Sequence, residues 1–429
     1  MIVTVVLAVI EADAGWSVGA PETGTAAVDR DLLVDRNGHP WVPPSALAGS
    51  LRAHLAKHAA DEDLMGSRPP DPSGDELPEP SGQISEPPGG KRLKPSRLWL
   101  LGTRIRDRGR DAAPSTEVVA ATAIDPRRRA ALPTSLRHTR QVGRDSRIEL
   151  YLQHDGPLAD TDLRLLATWR PAIGRDRSRG GGSARLTRLA HRAYDLDDAG
   201  QLLAWLQTTG PDRFTGLTDV TIPEPPDTTV LSAEFEIVDP LHLGTGSDRT
   251  KVENGKKSTQ AISRARSRRP LIPGSTWKGL FRARTGYILR SRFGEAAACT
   301  QQTGCGQCRL CDLFGSAERR GRLAFRDSAL SEAHTTSRTQ VAIDRVTGGA
   351  RDKLLFTRQI VAAGRLTLLV QALEPVAAWE RNLLLHVVRD LHDGLIGIGG
   401  GAQRGDGTIR LSDQSPLADL QPVTEETSS

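Results

Sequence analysis

Two stretches decide how this chain is built: IGRDRSRGGGSARL at 173–186 and IGGGAQRGDGTIRL at 398–411. Each opens on Ile-Gly, passes through glycines and arginines, and closes on Arg-Leu. Working outward, VPPSALAGSLRAHL at 42–55 resembles IPGSTWKGLFRART at 272–285, and LLG at 100–102 resembles LFG at 313–315. AID recurs at 123–125 and 342–344, and TRQ at 139–141 and 357–359. Matches that keep one order along both halves point to duplication of a domain, and two copies are too few for a solenoid.

At 429 residues the chain is long enough for two cores. The pattern predicts a first domain over 1–207 and a Pro/Gly/Thr-rich linker over 208–229. A second domain over 230–414 and a disordered tail at 415–429 follow. Leu231, Ala233, Phe235 and Ile237 alternate with polar residues, which predicts a half-buried strand. A helix is expected from an N-cap at Ser275, carrying Trp277, Leu280, Phe281 and Ile288, then a strand at 365–370 and a helix over 377–392. The first half reads similarly, with a strand at 1–10, a helix at 45–59, strands near 118–124 and 148–153, and a helix near 187–206. That order is the grammar of an α+β fold, antiparallel strands covered by helices. Residues 61–96, rich in Pro, Gly and acids, are expected to be a disordered insertion.

The four cysteines are Cys299, Cys305, Cys308 and Cys311, interleaved with Gly304 and Gly306. A tight cluster with none elsewhere argues against a disulfide framework and for a reducing, cytoplasmic compartment. It points to a four-thiolate structural zinc, which leaves no open coordination position for chemistry. An iron–sulfur cluster and a cluster without metal are the alternatives. The apolar start MIVTVVLAVI lacks a preceding basic stretch and meets Glu11 and Asp13, so it reads as a strand and not a signal peptide. No run approaches the length of a membrane span.

Lys and Arg number 57 against 52 Asp and Glu, a net charge of +5, with arginines clustered at 127–140, 264–269 and 282–292. Such patches suit a polyanion. Lys256-Lys257-Ser258 after Gly255 lacks the first glycine of a phosphate-binding loop, and Gly397-x-Gly399-x-x-Ala402 has no βαβ unit after it, so neither nucleotide motif applies.

IPGSTWKG (272–279), the Cys-x2-Cys-x-Leu-Phe-Gly run (308–315), GRLAFRD (321–327), VAIDRVTGGA (341–350) and GIGGGAQRGDG (397–407) resemble the RAMP superfamily, specifically the backbone subunits of type III CRISPR effectors. The first half resembles a diverged copy without the cysteines. The resemblance implies two tandem ferredoxin-like, RRM-related domains, each with a thumb hairpin, stacked along a guide RNA that pairs with target RNA. It also implies other RAMP subunits and a large subunit as partners, and no membrane. In some members a single aspartate before the Pro-Gly-Ser helix entry cleaves the paired target with a metal ion. Asp29 in TAAVD (25–29) is the candidate catalytic residue here, with Mg2+ or Mn2+ as cofactor, whereas Ser258 stands at the matching place in the second half. Asp29 is equally at home as a turn former.

Glycine-rich loops and helix N-termini offer N–H groups and cations to phosphates. The candidate RNA contacts are therefore Arg52, Arg175, Arg179, Lys278, Arg282, Arg284, Gly399, Gly400 and Arg404, with 246–269 as a mobile basic arm. Two other functions stand beside the guide-binding one: a catalytically silent scaffold of the same complex, and a stand-alone guide-precursor endonuclease.

Overall fold

The computed structural model describes residues 1–19, 28–67, 93–110, 112–125, 128, 130–244, 252–253, 256–257, 269–301, 303–415 and 417. In the first half the elements run β1 (Ile2–Ala12), α1 (Pro44–Ala56), α2 (Asp61–Met65), β2 (Leu98–Asp107), β3 (Thr116–Ala121), β4 (Arg137–Val142) and β5 (Ser146–Asp155). They continue through α3 (Asp160–Ala167), β6 (Ala184–Asp195), α4 (Ala199–Gln207) and β7 (Thr218–Val220). The second half holds β8 (Thr229–Ile237), β9 (Val252–Glu253), β10 (Lys256–Lys257), β11 (Leu271–Ile272), α5 (Gly274–Phe293), α6 (Arg309–Phe314) and β12 (Leu323–Phe325). It closes with β13 (Ser328–Ala329), β14 (Ser331–Ile343), β15 (Ala350–Ala372), α7 (Ala378–His392) and β16 (Ile409–Leu411).

Two five-stranded sheets result, in the orders β2-β5-β1-β6-β7 and β12-β15-β8-β16, with β14 pairing β15, beside the two-stranded pairs β3-β4, β9-β10 and β11-β13. Every pairing within them is antiparallel. Stripped of additions, β1-α1-β2-β5-α3-β6 and β8-α5-β12-β15-α7-β16 are both βαββαβ, with one strand order. This is the ferredoxin-like arrangement. Register agrees as well: Val6 faces Leu152 in one sheet and Leu231 faces Val370 in the other. Between the second and third core strands each half inserts a hairpin, β3–β4 in the first and β14 with the start of β15 in the second.

Each half has its own core. Val6, Ile10, Leu47, Leu51, Ile148 and Leu150 meet in the first. In the second, Phe281 lies 5.3 Å from Phe325 and Phe314 stacks 6.0 Å from it, while buried Trp277 donates from Nε1 to Ser328 Oγ at 2.9 Å. Such packing satisfies the ring and its one donor together.

Several expectations need correction. Of the helix expected near 187–206, only the later part forms, as α4; residues 187–195 belong to β6, because they supply the partner that β1 requires, and tertiary pairing overrides propensity. The first-half helix equivalent to α7 is the short α3. The expected linker contributes a 3-10 turn at Gly210–Phe214 and the edge strand β7. Helix α5 starts at Gly274 with Pro273 as N-cap, so Ser275 caps nothing. Within 61–96, α2 buries Leu64 and Met65, so the segment's start belongs to the core; 68–92 lie outside the described residues. Ser415 also packs inward, its Oγ accepting from the Glu234 N–H at 3.2 Å. Among the described residues no helix is long and apolar enough to cross a membrane.

Candidate nucleic-acid interface and metal centre

The two glycine loops fold alike because the same backbone bonds close them. Ile173 N–H donates to Gly182 O at 2.8 Å, as Ile398 N–H does to Gly407 O at 2.9 Å. Arg179 N–H to Asp176 O and Arg404 N–H to Gly401 O are both 2.7 Å. The loops are tied to the strand exit by Arg175 N–H to Ser17 O at 3.2 Å and by Gly400 N–H to His242 O at 2.7 Å. Each contains a 3-10 turn, Arg177–Arg179 or Ala402–Arg404, between left-handed residues at 176 and 180 or 401 and 405. Gly399 is required: at φ +87° a Cβ there would stand 2.7 Å from His242 O.

The first loop lies against the second half. Ser178 Oγ accepts from Lys278 Nζ at 2.7 Å, and Gly274 N–H donates to Asp327 Oδ1 at 2.7 Å, a carboxylate from another element capping α5. A Cβ on Gly180 would stand 2.5 Å from Asp327 Oδ1. Beside this junction Arg175, Arg177, Arg179 and Arg320 line a cleft of about 340 Å³ that also contains Asp176 and Ser178. Arg179 pairs with Asp176, and Arg177 donates to Ala172 O and Gly174 O. Arg175 is exposed, as is Arg404 in the second loop. A surplus of guanidinium in a concave, open site binds phosphate oxygens.

Burial, then repulsion from Arg179 and Arg282, lowers the Lys278 pKa to about 7. From pH 7 up to the ordinary lysine range, the unfolded chain holds a proton that the folded one lacks, so stability rises with pH across that window. The wild-type thermal midpoint should therefore climb relative to that of Lys278→Met between pH 7 and pH 9; an equal difference at both values would contradict it.

Three proposed RNA contacts are turned inward. Arg52 Nη1 donates to Gly66 O at 2.8 Å and Arg282 Nη1 to Gly315 O at 2.6 Å. Gly66 and Gly315 are the C-caps of α2 and α6, with φ +72° and +90°. The equivalent segments are thus DLMGS (63–67) and DLFGS (312–316), and the pairing of LLG at 100–102 with LFG is corrected. Arg284 Nε donates to Asp390 Oδ2 at 2.6 Å and ties α5 to α7. These arginines are fold contacts.

One buried acid was missed by sequence reading. Asp406, 3% exposed, holds Arg358, equally buried, and Arg338 at 3.0 Å. It fastens the second glycine loop to the base of the β14–β15 hairpin. Gly181 stands at its place in the first loop, where Asp31 instead receives Arg140 at 3.2 Å.

Asp29 lies against the other hairpin. Its Oδ2 accepts from the His138 N–H at 2.6 Å, and its side chain is 54% exposed. Among the described residues the only group of three or more possible metal ligands is the cysteine cluster, and Asp29 is in no such group. Ser258 and most of 246–269, including Lys251, Arg264, Arg266 and Arg268, lie outside the described residues.

Cys299 and Cys305 after α5, Cys308 at the N-cap of α6 and Cys311 within it bring their sulfurs within 4.8 Å of one another. Ligands 2.3 Å from a tetrahedral ion would sit about 3.8 Å apart. The 3.4 Å from Cys299 to Cys311 and 4.0 Å from Cys305 to Cys311 bracket that value. The thiols can therefore hold a metal ion such as zinc, whereas an iron–sulfur core between them would push them wider apart. N–H groups of Gln307 and Cys308 lower the Cys305 pKa to about 6, while burial pushes Cys299 up to about 12. Arg282 Nη2 donates to Cys311 Sγ at 3.4 Å, a cation beside what would be an anionic thiolate set. Gly304, at φ +78°, admits no side chain, since a Cβ would stand 2.8 Å from Cys311 Sγ.

Residues 234–410 match the family model of the RAMP superfamily, a span that covers most of the second half and less than half of the chain. No curated protein matches the chain.

Proposed function

We propose that this chain is a guide-RNA-binding backbone subunit of a type III CRISPR ribonucleoprotein, built from two fused copies of the RAMP domain. The observation that carries the reading is the arginine-lined cleft between the glycine loop of the first half and Arg320 of the second. The family match over the second half, with the shared strand order of the first, supports it. Phosphate contacts of this kind position a strand without reading its sequence, and pairing with the guide supplies specificity. Complementary target RNA, further RAMP subunits and a large subunit are the partners that follow from this reading.

Arg175→Ala should weaken binding of single-stranded RNA of any sequence and lower the slope of log affinity against log salt by about 1. Fluorescence anisotropy across a salt series measures both. An unchanged slope would remove Arg175 from the interface.

A second reading adds target cleavage at Asp29, and the observation that favours it is the exposed carboxylate against β4 of the β3–β4 hairpin. Among the described residues Asp29 belongs to no group of three or more possible metal ligands, so no metal-assisted step follows from its surroundings. In the assembled complex, Asp29→Ala should abolish cleavage of paired target if this reading holds; undiminished cleavage leaves the scaffold reading. Cutting of precursor RNA by the isolated chain would favour the stand-alone nuclease instead.

A further inference from the structure

The contact between the halves joins unlike surfaces. The 3-10 turn Arg177–Arg179 and Gly180 are the donor; the acceptor is the entry of α5, formed by Gly274, Lys278 and Asp327. A Cβ on Gly274 would stand 2.2 Å from Phe325 O of its own half and 3.0 Å from Arg179 O, so the packing of the second half requires glycine here and the donor carbonyl lies close against it. A contact of this heterologous kind can in principle repeat without closing.

The second half presents the donor again. Ala402, Gln403, Arg404 and Gly405 repeat the backbone of the first loop and are exposed, with nothing within 4 Å of a Cβ on Gly405. Among the described residues their side chains make one hydrogen bond, from Gln403 Nε2 to Arg128 O at 3.1 Å. The first half does not present the acceptor. Helix α1 leaves Pro43 in the geometry of Pro273, but Pro44 replaces Gly274 and Ala48 replaces Lys278. In the first half the ladder shifts register between Leu100 and Gly102, and neither Gly102 nor Thr103, which follow there as Arg326 and Asp327 follow Phe325, carries a carboxylate. Proline adds bulk and removes the N–H that the carboxylate receives, and the lysine is also missing.

We propose that the chain is one-ended: Ala402–Gly405 docks on a different polypeptide carrying a Pro-Gly helix entry, a lysine one turn in and a capping carboxylate, and copies of this chain do not link to one another. Its one complete acceptor is filled by its own first loop. The inference stands on the protein contacts and is independent of RNA.

Sedimentation of the full-length, metal-loaded chain without RNA tests it. The wild type should remain monomeric. Gly180→Leu, which ejects the resident loop from the acceptor, should raise self-association at least ~10-fold, and adding Gly405→Leu should return it to wild-type behaviour. The triple variant Pro44→Gly/Ala48→Lys/Thr103→Asp, which installs an acceptor, should self-associate likewise and lose the property with Gly405→Leu. Circular dichroism identifies which variants are folded, and either series suffices. Wild-type oligomers abolished by Gly405→Leu, or folded acceptor variants that stay monomeric, would overturn the proposal.

Discussion

Cys305→Ser, or prolonged chelation, is expected to release one equivalent of metal per chain and to unfold the region between the end of α5 and the end of α6. The reason is how little else holds this loop. Helix α6 is six residues long, below the length at which a helix persists alone, and its Leu310, Leu313 and Phe314 reach the core only because the cysteines flanking and within it are gathered. Structural zinc supplies about 10–16 kcal/mol in small peptides. Even a third of that, lost from a domain of this size, lowers the thermal midpoint by about 10 °C or more. Elemental analysis and limited proteolysis within 294–316 provide the check. Metal-free protein with an unchanged melting point and cleavage pattern would show that the thiols have no structural ion.

Asp406→Ala should be the most damaging single substitution outside the thiol cluster. It leaves Arg358, 3% exposed, as an unpaired buried cation and frees Arg338. Breaking one side of a buried pair costs about 3–5 kcal/mol, whereas replacing both sides with apolar groups is often near neutral. Asp406→Leu/Arg358→Met should therefore be much less destabilised than Asp406→Ala alone, and denaturant unfolding gives the comparison. If the single and double variants fell equally, the ion pair would not be what fastens the loop to the hairpin.

The fold was legible where sequence pattern and burial coincide. Alternation at Leu231, Ala233 and Phe235 predicts β8, because a half-buried strand must alternate. The paired glycine loops were readable because left-handed backbone at 401 and 405 demands glycine or a rare substitute such as Asp176. Residues 187–195 misled because their place in β6 is fixed by β1, far away in the chain, and local propensity carries no trace of that partner. The match of DLMGS with DLFGS was hidden because it falls within a segment whose composition argues for disorder.

Charge was the least legible feature of the site. Arg52, Arg282 and Arg284 look like phosphate ligands at the start of a helix, yet each is turned toward a carbonyl or carboxylate within the fold. The direction of a long side chain depends on acceptors brought from elsewhere, here Gly66, Gly315 and Asp390. Asp406 had one local signal, being the lone acid of its loop. The cysteines were fully legible because four thiols at short spacing leave little freedom in how they can gather.

The guide-binding claim is tested most directly by co-expressing the chain with its neighbouring genes and a repeat–spacer array, purifying it, and sequencing the RNA it retains. Short RNAs that share one repeat-derived end are the predicted result. No RNA, or fragments of random sequence and length, would contradict the account.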